Sequence, residues 1–194
     1  MILALIPARG GSRRVPRKNL KLLAGRPLIE WTIEAAKQSA WLDVIAVTTE
    51  DDEIHRVAVE IGGASVIRRP MVLASDTANI YDAIKHAIYR MQGNFTHVCL
   101  LHPTSPLRIA ADIDGCCAAA VGEPSCNSVV SVTGGYPIME VPNGAVYVGR
   151  KDWLLAGGNF DTDKNQIQYE MPAKRSIDIN LPEDFAEAER LIAA

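Results

Sequence analysis

Directly after the apolar run Met1 to Leu5, the chain reads IPARGGSRRVPRKNL from Ile6 to Leu20. An apolar strand that runs into a Gly-Gly turn and then into Arg9, Arg13, Arg14, Arg17 and Lys18 offers backbone amides and five cations to one small anion. A nucleotide polyphosphate is the anion of that size and charge. The spacing is neither that of a Walker loop, G-x-x-x-x-G-K-[ST], nor of a dinucleotide fingerprint, G-x-G-x-x-G. Gly10 and Gly11 permit positive φ and close backbone approach, Pro16 stiffens the loop, and the basic residues neutralise oxygens that would otherwise repel one another. A solvated basic loop is the plainer alternative. It ranks second, because an unpaired cationic cluster at the carboxyl end of a first strand lies where open α/β sheets bind ligands.

The positive charge is local. The whole chain of 194 residues carries a formal net charge of −3, which argues against a nucleic-acid partner, since such proteins are normally basic overall. No apolar stretch approaches the length of a membrane span, and Met1 leads straight into a strand pattern without a basic leader, so no membrane association and a cytoplasmic location are expected. Cys99, Cys116, Cys117 and Cys126 form no C-x-x-C pair, and His55, His86, His97 and His102 are not at zinc-ligand spacing with them; reduced structural thiols are expected. The length suits one domain, residues 1–194.

Apolar runs alternate with amphipathic ones along the chain, which predicts a three-layer α/β/α fold, Rossmann-like, around a mostly parallel sheet. Strands are expected at Ile2 to Ile6, Val44 to Thr48, Ser65 to Ile67, His97 to Leu101, Ser128 to Val132 and Gly144 to Val148. Helices are expected at Pro27 to Ser39, opened by a proline, at Asp51 to Ile61, opened by three acidic residues, and from Pro182 to near Ala194. In Thr77 to Met91, the positions Ile80, Ile84, Ala87, Ile88 and Met91 follow helical spacing and read as core.

Taken whole, the first motif resembles the nucleotide-binding signature of the acylneuraminate cytidylyltransferases, the CMP-sialic acid synthetase family. LLHPTSPLR at Leu100 to Arg108, NGAVYV at Asn143 to Val148 and SIDINLPEDF at Ser176 to Phe185 match the same family in the same order. The resemblance implies a nucleotide-diphospho-sugar transferase-like fold with a mixed sheet. It also implies a nucleotide site made of Arg9, Gly10, Gly11, Ser12, Lys18, Asn19 and, from the loop IRRPMVLASD, Arg69. Ser75 and Asp76 match as well, without an assigned role. Arg68 and Arg69, read without the resemblance, are a surface pair ahead of a turn.

Asp178 precedes a helix that opens Pro182, Glu183, Asp184, and a carboxylate facing a polyphosphate loop suits Mg²⁺, which uses one or two carboxylates plus phosphates and waters. The resembled family reads D-x-D here with both carboxylates on the metal, whereas this chain has Asn180 second. On a strand, residues two apart face one side, so Asn180 stays in reach of the ion with one charge fewer. In PTSPLR two prolines make a rigid turn, from which Thr104 and Ser105 present fixed donors to a sugar and Arg108 meets an acidic group. His102 stands where the family has a glutamine that touches the acceptor sugar. Val141 stands where the family has an arginine for the sugar carboxylate, and the family's long dimer arm is cut to the turn around Gly134 to Pro142. Glu50 replaces an aspartate.

The resemblance thus implies a CTP-dependent cytidylyltransferase acting on an acidic keto-sugar, with Arg9, Lys18 and Asp178 carrying the reaction, Mg²⁺ as cofactor, CTP and the sugar as partners, and a homodimer lacking its usual arm. Two other readings stay open: a sugar nucleotidyltransferase with another acceptor or base, and a nucleotide-binding protein with little or no catalysis.

Overall fold

The computed structural model describes residues 1–134 and 142–193. Its strands and helices are, in chain order, β1 (Ile2–Pro7), β2 (Leu22–Leu23), β3 (Arg26–Pro27), α1 (Leu28–Lys37), β4 (Val44–Thr49), α2 (Asp52–Ile61), β5 (Ser65–Arg68), α3 (Ile80–Met91), β6 (His97–Leu100), α4 (Ala110–Gly122), β7 (Ser128–Thr133), β8 (Pro142–Arg150), α5 (Lys151–Leu155), β9 (Gln166–Met171) and α6 (Pro182–Ile192). Seven of the strands form one sheet in the order β5-β4-β1-β6-β8-β7-β9, and β2 pairs with β3 in a small hairpin. β1 runs parallel to both β4 and β6, while β8 is antiparallel to β6 and β7. The sheet is therefore mixed and mostly parallel, as expected.

β1 explains why its sequence is an unbroken apolar run. Ile2, Ala4 and Ile6 join one buried cluster, with residues of α1, α2 and α4, while Leu3 and Leu5 join another with residues of α3. A strand covered on both faces has no polar alternation to show. A third cluster, of Val15, Leu23, Leu28, Ile179, Phe185 and Ala188, seats α6 against the loop after β1.

Local chemistry sets the boundaries. The Asp51 side chain caps α2 by accepting from the amides of Glu53 and Ile54, so the first of three acids lies outside the helix it opens. Asn79 caps α3 in the same way through Tyr81 N, 2.9 Å, and that helix starts at Ile80 instead of Thr77. The segment SIDIN is not a strand: residues 176–181 carry no ladder bonds and are held by other contacts described below. Five elements have no counterpart in the sequence reading: the two-residue strands β2 and β3, the short α5, and the longer α4 and β9. α4 has apolar residues around most of its circumference and little amphipathic signal, because it packs on β7, β8, β9 and α1 together. Within it Gly115 leaves room for the Tyr169 ring, which any Cβ would meet. β9, QIQYEM, is an edge strand with a mixed polar pattern beside β7. No described helix is long and apolar enough to cross a membrane.

Candidate active site

β1 has β4 on one side and β6 on the other, reached by connections that leave in opposite directions, and a cavity of about 580 Å³ opens beyond its carboxyl end. That is the crevice in which open α/β sheets hold ligands. The loops after β1 and β5 bring Arg9, Ser12, Lys18, Asn19 and Arg69 to it, the loop after β6, on the other side of β1, brings His102 and Thr104, and Asn180 lines it as well.

In the cradle loop, space and not backbone conformation is what the first glycine provides. Neither Gly10 nor Gly11 has a positive φ. Gly10 is required for space, because a Cβ there would run into the Asp51 carboxylate, whereas Gly11 faces open room. The backbone amides are also partly engaged: Gly10 N donates to Glu50 Oε1 at 2.7 Å and Ser12 N to Gly10 O at 3.2 Å. Asn19 is buried, and its Nδ2 donates to Arg9 O at 2.9 Å, which fixes the curl of the loop.

Four of the five cations line the cavity. Arg17 does not: held in the left-handed region at φ 55°, it forks onto Asp51 at 2.5 and 3.0 Å and onto Glu53 at 2.6 Å. Asp51 drives its guanidinium pKa further up, and Arg17 in turn holds the Asp51 carboxyl below the usual range. Arg9 meets Asp76 at 3.1 Å, and Arg13 pairs with the same carboxylate. Lys18 Nζ donates to Ile179 O at 2.7 Å. Burial lowers its pKa, Asp178 opposes that, and Arg14 and Arg9 add to it.

Arg69 is not the surface residue its sequence context suggests. Its side chain is 3 % exposed and pairs with Glu50, 7 % exposed, through Nε at 3.1 Å and Nη2 at 2.8 Å. Arg68 is the exposed one, donating to Glu50 O at 2.9 Å and pairing with Asp52.

Across the cavity, His102 stacks on Tyr147 with ring centroids 5.5 Å apart. Its Nε2 is buried without a hydrogen-bond partner among the described residues. Burial pushes its pKa down to about 4, Asp178 opposes and Arg108 adds, so the imidazole is neutral near pH 7. Thr104 O accepts from Ile179 N at 2.7 Å, which ties this shelf to the segment before α6. Ser105 and Arg108 are turned away from the cavity. Ser105 is fully buried, its Oγ unpartnered among the described residues. Arg108 does not reach out to an acidic group: 2 % exposed, it donates to His102 O, to Ala145 O at 2.5 Å and to Thr32 Oγ1 at 2.5 Å. Its fork satisfies carbonyls where the shelf, β8 and α1 meet, and no oxygen of a bound sugar can reach a guanidinium already enclosed by protein.

Asp178 and Asn180 are side by side although no strand sets the alternation, Asn180 Nδ2 donating to Asp178 Oδ2 at 2.7 Å; Asn180 lines the cavity, and Asp178 lies behind it, outside the lining residues. A Cβ on Gly144, itself at φ 79°, would lie 3.7 Å from both Asp178 Cγ and Ser105 Oγ. Gly144 therefore packs close to the carboxylate, and its turn is held by Asn143 Oδ1, which accepts from Ser131 Oγ at 2.6 Å and Ala145 N at 3.0 Å. No group of three or more His, Cys, Asp or Glu side chains suited to a metal occurs among the described residues. The Asp178 carboxylate and the Asn180 amide oxygen are hard donors that fit Mg²⁺, which takes the rest of its shell from phosphates and water. Val141 and most of the shortened arm lie outside the described residues.

Sequence reasoning left out two residues of the site. Glu50 had been noted only as a substitution, though its position just past β4, next to the cradle in space, was a signal. Tyr147 sits in the matched NGAVYV but its stacking on His102 is a tertiary fact.

A family model described as cytidylyltransferase matches residues 3–134. The chain is 32% identical to CMP-N,N'-diacetyllegionaminic acid synthase of Legionella pneumophila, over 98% of this chain and 96% of that protein. It is 30% identical to N-acylneuraminate cytidylyltransferase of Escherichia coli, over 95% of this chain but only 50% of that protein. It is 41% identical to pseudaminic acid cytidylyltransferase of Campylobacter jejuni over 54% of this chain and 47% of that one. The chain thus spans nearly the whole Legionella relative and about half of the other two. Among solved structures, CMP:2-keto-3-deoxy-manno-octonic acid synthetase complexed with CTP shares the fold with a TM-score of 0.82 at 16% identity, covering 99% of this chain and 98% of that one. With the cavity, the mixed sheet and these sequence matches in agreement, the chain belongs to the cytidylyltransferase family.

Proposed function

We propose that this protein transfers CMP from CTP to an acidic keto-sugar of the nonulosonic class and releases pyrophosphate. One observation carries the reading: a single cavity is lined by the cations Arg9, Lys18 and Arg69 together with the neutral, hydrogen-bonding His102 and Thr104. The cations suit a triphosphate and the neutral groups a sugar. The named activities of the relatives, on legionaminic, neuraminic and pseudaminic acids, support the same class of acceptor.

In this reaction a sugar hydroxyl oxygen bonds to the α-phosphorus, the bond from that phosphorus to the bridging oxygen breaks, and pyrophosphate carries away the electron pair. The hydroxyl proton passes to water. Lys18 and Arg9 bind and neutralise the phosphates, and Arg69 faces the rest of the nucleotide. Positioning and charge neutralisation are the main demands of such chemistry. Mg²⁺, held by Asp178 with Asn180 beside it, would supply further neutralisation of the phosphates. Neutral His102, which lines the cavity, is suited to hydrogen-bond the acceptor and differs from glutamine in shape and reach. N-acetylneuraminate is accordingly a poor acceptor in this reading, and another nonulosonic acid the preferred one.

The test is pyrophosphate release from each of the four nucleoside triphosphates against a panel of nonulosonic and octulosonic acids. Release only with CTP and a nonulosonic acid is expected. Efficient turnover of N-acetylneuraminate, on the order of 10⁴ M⁻¹s⁻¹ or better, would sink the acceptor assignment, and no release with any pair would sink the reaction.

A further inference from the structure

We propose that Glu50 is a positioning residue for nucleotide binding, its carboxylate joining the cradle loop to Arg69 so that both meet the nucleotide as one preset unit. The inference rests on the nucleotide reading above. Glu50 stands just beyond the carboxyl end of β4, between the loop after β1 and the loop after β5. One carboxylate oxygen accepts from Gly10 N at 2.7 Å, and the other accepts Nε and Nη2 of Arg69 at 3.1 and 2.8 Å.

The contrast with the other carboxylate at this cavity explains the role. Asp76 also holds cradle arginines, but it is 37 % exposed, so an entering phosphate can take its place. Glu50 is 7 % exposed and its partner 3 %, so water screens this pair far less than it screens Asp76 and its arginines. A buried charge stays only where its partner stays. Arg69 lines the cavity yet cannot swing out to meet a ligand without abandoning that partner, so its place in the wall is set before anything binds. The same carboxylate claims the Gly10 amide, which leaves Arg9 and Lys18, not that amide, to meet the phosphates. Preset geometry of this kind lowers the ordering cost of binding.

The experiment is a double-mutant cycle on CTP affinity, read by calorimetry, with Glu50→Gln and Arg69→Gln, well below the melting temperature of each variant. A glutamine keeps an acceptor for Gly10 N and removes the charge that holds Arg69. Glu50→Gln alone is expected to weaken CTP about tenfold or more, but only about threefold or less in the Arg69→Gln background, where nothing remains to be held. The KM for CTP should rise while the KM for the sugar stays unchanged. Should Glu50→Gln not fold, Glu50→Asp retains the charge and withdraws it by one methylene, and the same cycle applies with a smaller expected loss. Unchanged CTP affinity in the folded variant, or an equal loss in both backgrounds, would overturn the proposal while leaving the nucleotide reading intact. Wild-type protein that does not bind CTP would overturn both.

Discussion

The two walls of the cavity are built by different physics. On the cationic side three of the five lining cations meet carboxylates, Arg9 and Arg13 sharing Asp76 and Arg69 holding Glu50, while Lys18 donates to Ile179 O and Arg17, off the cavity, is taken by Asp51 and Glu53. The exposed pairs are weak and salt-screened, so they hold the loop in place yet yield to a stronger anion. The acceptor wall is held by carbonyls and neutral groups instead, with Thr104 O on Ile179 N and the buried Arg108 fork on His102 O and Ala145 O. Such a wall does not rearrange when a charge arrives. The difference shows in the departures from the resembled family: on the cationic side Glu50 for aspartate keeps the charge that Arg69 pairs with, while across the cavity His102 and Asn180 change the polar group itself. A change there alters what is recognised without unpairing a charge, whereas a change among the paired cations strands its partner.

The sharpest way to break this comparison is at the seam between the walls. Asp178→Asn should reduce Mg²⁺-dependent turnover by at least about a hundredfold, the loss of several kcal/mol of charge stabilisation, while CTP binding measured without metal falls little. A metal titration of initial rates separates the two, and near-normal turnover would remove Asp178 from the metal site. Next in size is Lys18→Ala, expected to weaken CTP about ten- to a hundredfold, or about 1.5 to 3 kcal/mol for a charge-assisted hydrogen bond. Calorimetry with an intact melting transition checks it.

A pH experiment sharpens the acceptor side. His102 has its folded pKa depressed from the ordinary 6.5 to about 4 by burial, so the unfolded chain takes up the proton first as pH falls. Stability from this group is complete above about pH 6.5 and is lost between there and about pH 4, amounting to at most about 3 kcal/mol. His86 and His97 are shifted down by burial as well and act in the same direction. His102→Gln should therefore reduce, without abolishing, the drop in melting temperature between pH 7 and pH 4.5, and leave CTP affinity unchanged. An identical acid drop in the variant would mean that the ring is already hydrated.

The smallest effect expected is that of Arg17→Ala. It should leave CTP affinity within about twofold and cost stability by about 1 kcal/mol or less, as exposed ion pairs do. A loss comparable to that of Lys18→Ala, seen in the same calorimetric titration, would put Arg17 back in the cradle.

The sequence by itself determined the three-layer architecture, since a run such as ILALI can be buried on both faces only inside a covered sheet, and it marked the cradle, because Arg and Lys cannot cluster after a strand without an anion or acids to meet. It also marked Asp178 and Asn180 as neighbours, although the reason first given, strand alternation, was not the one that operates. Helix α4 and edge strand β9 were hidden, the one apolar on too many sides and the other too polar for periodicity to speak. Only the tertiary structure decided which charges are free. Arg17, Arg69 and Arg108 read alike in the sequence, yet one is tied at the surface by Asp51, one is buried in the cavity wall on Glu50, and one is sealed beneath the shelf on carbonyl oxygens. The reason is that a charge's role depends on its nearest partner and on the water left around it, and partners 34, 19 and 37 residues away in the chain are brought near by the fold alone.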